Sequence, residues 1–174
     1  MTDLTTLKRQ HQLVTLTSTN LTVTGYIRSL TKTDILLIQM TATGHPDGWI
    51  WLNPEHINAV ESGTPELALI ETFVDLNRKH HPAFDPLTLT PPARNLTAWL
   101  ALTVKNQTLI EIGLAKQPQI VTLTRKNEAL TAHEITVETI DQPRNHVLEP
   151  AQLRWLKTGS EYLSLMNQVR KIFA

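Results

Sequence analysis

From Leu13 the chain alternates apolar and polar residues with period two, Val14 and Leu16 on one side, Thr15 and Thr17 on the other. Threonine and β-branched residues dominate this stretch, and both favour strands. Asn20 supplies a turn, after which Leu21 to Leu30 resumes the alternation with Val23, Gly25 and Ile27 in phase. Glycine inside a strand pattern marks a sharp bend or a close backbone approach. A third strand is predicted over Asp34 to Met40, a turn-rich loop over 41–48, a fourth strand over Trp49 to Leu52 and a short fifth over Ile57 to Val60. Asn53-Pro54 separates the last two.

Helical spacing appears in four places, two of them amphipathic over their full length. Thr64 followed by Pro65 and Glu66 forms an N-terminal signal, and Leu67, Ile70, Phe73 and Val74 share one face of a helix predicted over 65–77. A second amphipathic helix is predicted over 160–173, with Tyr162, Leu165, Met166, Val169 and Phe173 on one face and Arg170 and Lys171 at its end. A short helix over 2–10 rests on Leu4 and Leu7. For residues 92–104, helical spacing of Leu96, Trp99, Leu100 and Val104 competes with strand propensity over 99–104. Strands follow at Leu109 to Leu114, Gln119 to Thr124, Glu134 to Ile140 and His146 to Leu148.

The segment Leu52-Asn-Pro-Glu-His-Ile-Asn-Ala-Val-Glu-Ser-Gly63 returns 96 positions later as Leu148-Glu-Pro-Ala-Gln-Leu-Arg-Trp-Leu-Lys-Thr-Gly159. Leu, Pro and Gly keep their offsets, and both copies run into an apolar periodic segment. Repetition of this kind predicts a duplicated supersecondary unit. The repeat places Asp34 on Glu134, Ile35 on Ile135 and Leu37 on Val137. Upstream, Leu13 to Asn20 fits both Trp99 to Asn106 and Ile120 to Asn127. The expected organisation is a first module over 1–79, a proline-rich connector over 80–92 and a second module over 93–174.

Five short strands, glycine in the second, a Pro-marked connection before the fifth and a flanking helix resemble a small SH3-like barrel. Val14 to Arg28, Ile35-Leu-Leu-Ile38 and Ile57-Asn-Ala-Val60 are similar to the Sm-like (LSm and Hfq-like) pattern; the YolD-like family shares its ending. The resemblance covers residues 10–63 and, more faintly, 105–159. It implies an α+β, mainly β fold of two small barrels, each followed by a C-terminal amphipathic helix. It also implies pairing of the fourth strand of one module with the fifth of the next, and RNA binding. The family's basic residue at the turn between those strands is replaced by Asn53-Pro-Glu-His56 and Glu149-Pro-Ala-Gln152, each bearing a carboxylate.

Charge narrows the function classes. Sixteen basic and sixteen acidic residues give zero formal charge, which disfavours a nucleic-acid partner without excluding a local basic patch. Zero cysteines exclude disulfides, thiolate metal sites and cysteine nucleophiles. The start of the chain has no apolar run of signal-peptide type and no window is long enough to span a bilayer, so a cytoplasmic location is expected. No nucleophile motif, Gly-rich phosphate loop or paired metal-ligand spacing occurs. The chain is therefore expected to be non-enzymatic and to need no metal or cofactor.

Trp49 and Trp51 share one strand face, opposite Ile50 and Leu52. An exposed Trp face, with His56 beside it, predicts a partner surface; packing of that face on the neighbouring module or helix competes. Arg28 with Lys32, and Lys116 with Arg125 and Lys126, are candidates for a polyanion groove, against ordinary solvated charge. His133 near Glu134, and His56 near Glu55, are acid–base candidates for an enzyme with a site between modules. The leading expectation is an assembly or adaptor protein, binding a protein partner or its own copies through barrel edges and the Trp face. RNA binding and a small inter-module enzyme are the alternatives.

Overall fold

A computed structural model of the chain describes residues 3–81, 85–136 and 144–173. Helix α1 (Leu4–Arg9) leads into strands β1 (Leu13–Ser18), β2 (Leu21–Leu30), β3 (Ile35–Met40) and β4 (Pro46–Leu52). A 3-10 turn (Pro54–His56), β5 (Ile57–Ser62) and helix α2 (Pro65–His80) complete the first half. The second half holds α3 (Leu96–Asn106), β6 (Ile110–Gly113), β7 (Pro118–Lys126), β8 (Ala129–Glu134) and β9 (Arg144–Leu148). A second 3-10 turn (Pro150–Gln152), β10 (Trp155–Thr158) and α4 (Glu161–Phe173) end it. The protein is mainly β with flanking helices. Among the described residues no helix is long and apolar enough to cross a membrane.

All ten strands join one antiparallel sheet in the order β5-β1-β2-β3-β4-β10-β6-β7-β8-β9. The order 5-1-2-3-4 thus occurs twice, and β4 meets β10 where the copies abut. Val14 pairs with Gly25 in the first half and Ile110 with Val121 in the second. The upstream register is therefore again 96 residues, which replaces both offsets expected from sequence. The left-handed residues His11 and Gln107, and Gly63 and Gly159, keep the same spacing. A bulge in β2 between Ile27 and Ser29 shortens it by one, so Ile35, opposite Leu52, corresponds to Leu130, opposite Leu148. Glu134 consequently aligns with Gln39, not Asp34. The strand expected over 134–140 lies earlier, at β8, because Asn127 takes a left-handed φ of 56° and closes a two-residue turn. Positions 137–140, Val137 among them, lie outside the described residues.

Local chemistry accounts for the helices. Thr64 Oγ1 accepts from Leu67 N at 3.3 Å, and Ser160 Oγ, its counterpart, accepts from Leu163 N at 3.2 Å. Asn95 caps α3 through Ala98 N at 2.9 Å, which decides residues 96–106 for helix against their strand propensity. Helix α2 runs past the expected 77 to His80, with Arg78, Lys79 and His80 in its last turn. The buried faces differ from expectation. Leu67 and Val74 are buried while Phe73 is 37% exposed; in α4, Leu163 and Met166 are buried while Tyr162, Leu165 and Val169 are exposed. Helix α4 sits on Leu109 and Ile135, and that contact selects Leu163. The Phe173 side chain lies outside the described residues.

The sequence implied two barrels, each round its own interior. One continuous sheet connects the halves, and they share core residues. Trp155 of β10, 1% exposed, packs with Val14, Leu16, Ile35 and Leu52 of the first half. Leu36 and Trp51 pack with Ile110, Ile112, Leu153 and Leu156 of the second. Gly113 of β6 lies opposite Trp155, whose indole occupies the space a Cβ would need. Gly25 in β2 is pressed against the Ile38 carbonyl in the same way, the close approach its place in the alternation predicted.

Candidate functional site

The join between the halves is a four-residue ladder, Trp155 opposite Leu52, Leu156 opposite Trp51, Lys157 opposite Ile50 and Thr158 opposite Trp49. Asp47 fastens it: one carboxylate oxygen takes Lys157 Nζ at 3.3 Å and the other takes Glu161 N at 3.0 Å. Asn53 N donates to Arg154 O at 2.9 Å just beyond the ladder. Glu111, opposite Lys157 on β6, has its carboxyl pushed up by burial, with the Lys157 charge pulling the other way.

Among the described residues the same sheet ends in two unpaired edges, β5 and β9. They correspond by the 96-residue repeat to β10 and β4, the two strands that pair internally. Burial records the difference. Leu153 and Leu156, beside the join, are fully buried, whereas their counterparts Ile57 and Val60 on β5 are only half-buried. Val147, the counterpart of Trp51, is 67% exposed on β9. The neighbouring His146 has a buried Nε2 with no hydrogen-bond partner among the described residues. Leaving both edges open is an invitation to further pairing.

The Trp-bearing surface expected from sequence is taken up by the chain itself. Trp51 is 3% exposed and its indole donates to Asp34 Oδ1 at 2.6 Å. Trp49 is half-buried between two core clusters. The second half of the sheet covers the face that β4 would otherwise show to solvent. Asp34 is a structural hub that sequence reading did not single out. Oδ1 also accepts from Leu96 N at 3.0 Å, and Oδ2 accepts from Thr33 Oγ1 at 2.6 Å and Thr31 Oγ1 at 3.2 Å. Burial alone would raise its pKa; the bonds from Thr33, Leu96, Trp51 and Thr31 outweigh it and hold the carboxyl below its ordinary value.

The basic candidates do not form one groove. Arg28 is on β2 and Lys32 in the exposed β2–β3 turn, while Arg125 and Lys126 end β7 in the corresponding hairpin of the second half. Lys116 lies elsewhere, in the β6–β7 turn, where it joins His56 at a cleft of about 710 Å³. His133 is held on both sides: Thr124 Oγ1 lies 2.7 Å from Nε2 and Asn145 Oδ1 2.7 Å from Nδ1. That gives the ring a cross-strand bracing role between β7, β8 and β9. Among the described residues no group of three or more histidines and carboxylates could hold a metal ion. Both repeat helices leave an apolar stripe exposed at repeated positions, Leu69 and Leu165, Phe73 and Val169.

Compared with protein-family models, curated proteins and solved structures, the chain gives no match.

Proposed function

We propose that this is a self-assembling protein of two tandem SH3-like, Sm-like modules, whose copies join head to tail by pairing β9 of one with β5 of the next. The observation carrying this reading is the internal ladder between β4 and β10, because the free edges are the repeat counterparts of those two strands. Transferring its register by 96 residues sets Val147 opposite Val60 and His146 opposite Glu61. The exposed valine then meets a half-buried one, and a histidine position stands opposite a carboxylate. Such a contact is heterologous and repeats from copy to copy, so it builds rings or filaments. The external contact lacks all three tryptophans of the internal one, with Val147 at the place of Trp51, Asn145 at that of Trp49 and Ala59 at that of Trp155. Association between copies is therefore weaker than the internal join and depends on concentration.

Because the chain has no cysteine, the register can be trapped. Opposed residues of an antiparallel pair lie about 4.5–5.5 Å apart at Cα, within disulfide reach. A mixture of Val60→Cys and Val147→Cys proteins is expected to form a covalent heterodimer under mild oxidation. A mixture of Asn58→Cys with Val147→Cys is expected to form far less. Equal yields from both mixtures, or none from either, would defeat the proposal.

A further inference from the structure

The cleft of about 710 Å³ beside the internal join is a built cavity of ligand size. Its walls come from three turns: His56 from the first 3-10 turn, Leu114 to Gln117 from the β6–β7 turn, and Gln152 from the second 3-10 turn. Gln119 on β7 and Arg154 before β10 complete it. Backbone bonds fix these walls. Arg154 N donates to Gly113 O at 3.0 Å and Asn53 N to Arg154 O at 2.9 Å. Asn20 Nδ2 reaches across from the β1–β2 turn to Lys116 O at 2.8 Å. The second half supplies all of the lining except His56, which the first half contributes across the join.

Its chemistry is one-sided. Lys116 and Arg154 bring two cations, His56 adds a third nitrogen donor or acceptor, and no carboxylate is among the lining residues. The nearby carboxylates stay outside the lining: Glu55 is exposed on the first 3-10 turn, and Glu149, before the second, accepts from Gln152 Nε2 at 3.0 Å, which leaves Lys116 and Arg154 as the charges that face the cleft. Neither cation makes a salt bridge among the described residues. Gln119 adds a second requirement. Its Oε1 is shut off from solvent without a hydrogen-bond partner among the described residues, and a buried acceptor in that state is costly unless a donor arrives. Leu114 and the alanines at 115 and 151 supply apolar wall.

We propose that this cleft binds a small phosphate-bearing molecule that also carries an N–H or O–H donor, of the nucleoside monophosphate class. Lys116 and Arg154 take the phosphate, Arg154 in a forked geometry. Gln119, its amide turned from its sealed position into the cleft, accepts from the base or sugar, and Leu114 packs against the flat part of the ligand. The site is independent of how copies assemble.

The test uses the full chain titrated by calorimetry and amide NMR with inorganic pyrophosphate, adenosine 5′-monophosphate and adenosine. Expected are saturable binding of the first two, weakening with salt, and shifts centred on residues 114–119 and 151–154. Lys116→Gln and Arg154→Gln are each expected to weaken both by about tenfold or more, the scale of one charge-assisted hydrogen bond. Gln119→Leu is expected to leave pyrophosphate binding intact and to remove the advantage of the nucleotide over it. Neither cation is buried, so these variants keep the fold, which circular dichroism checks. No saturable binding of either phosphate probe, or binding that Lys116→Gln/Arg154→Gln leaves unchanged, overturns the proposal. Adenosine binding as tightly as its monophosphate would overturn it equally.

Discussion

Replacing Asp34 with alanine strips four hydrogen-bond donors of one acceptor group. Thr31 and Thr33 are exposed and turn to water at little cost. The Trp51 indole, which bonds Oδ1 at 2.6 Å, is buried and has no such escape, and the Leu96 amide, at 3.0 Å, is part-buried. Leaving one buried and one part-buried donor unpaired, with a carboxylate also lost from the start of α3, costs about 2–4 kcal/mol. That is a large part of the roughly 5–15 kcal/mol that holds a typical domain folded. Asp34→Asn keeps an oxygen for the indole and the amide, and the threonine hydroxyls can reverse to accept from its NH₂. It is expected to cost about 1 kcal/mol, the difference between charged and neutral acceptors. Because the folded-state pKa lies below the unfolded value, Asp34's contribution is present in full above the unfolded value and fades as pH falls through the folded one. Below about pH 4 the wild type and Asp34→Asn should therefore converge. Urea denaturation of the three proteins across pH gives the numbers. An alanine variant within 1 kcal/mol of wild type, or an asparagine variant as damaged as alanine, would refute the hub.

Further expectations follow from the join. Trp51→Phe should cost about 1–3 kcal/mol more than Trp155→Phe, since the Trp51 indole bonds Asp34 while the Trp155 indole has no hydrogen-bond partner among the described residues; chemical denaturation compares them. Gly113→Ala should destabilise by about 1–3 kcal/mol by pushing on the Trp155 indole, and a simultaneous Trp155→Leu should recover part of that loss. Glu111→Gln should stabilise the protein at neutral pH. The half-buried carboxyl binds its proton more tightly folded than unfolded, so its contribution falls as pH rises through the unfolded value toward the folded one. The benefit should vanish in acid, and denaturation midpoints at pH 3 and pH 7 check this.

Much of the fold was legible. Thr-rich alternation located the strands of the first half closely, and the Leu, Pro and Gly of the repeat marked the two 3-10 turns and the helices behind them. What was missed has physical causes. Strand β6 is only four residues long and one of them is Gly113, so its pattern was too short to fix the upstream register. The tight turn at Asn127 and Glu128 carries neither Gly nor Pro, so β8 was placed too late. The burial of Trp51 could not be read from alternation, which separates two faces of a strand but not whether a distant segment covers both. Asp34 and the cleft likewise join residues far apart in sequence, and only Lys116 and His56 among the cleft residues had drawn attention for their chemistry.

Molar mass by light scattering over a rising concentration series, for wild type and Val147→Lys, tests head-to-tail pairing of free edges most directly. The wild type should climb from the 19.6 kDa single chain toward whole multiples of it. The lysine variant, with a charge at the centre of the β9 edge and an unchanged circular dichroism spectrum, should stay at the single-chain mass. A wild type that stays at that mass throughout, or a lysine variant that assembles as the wild type does, would contradict the account.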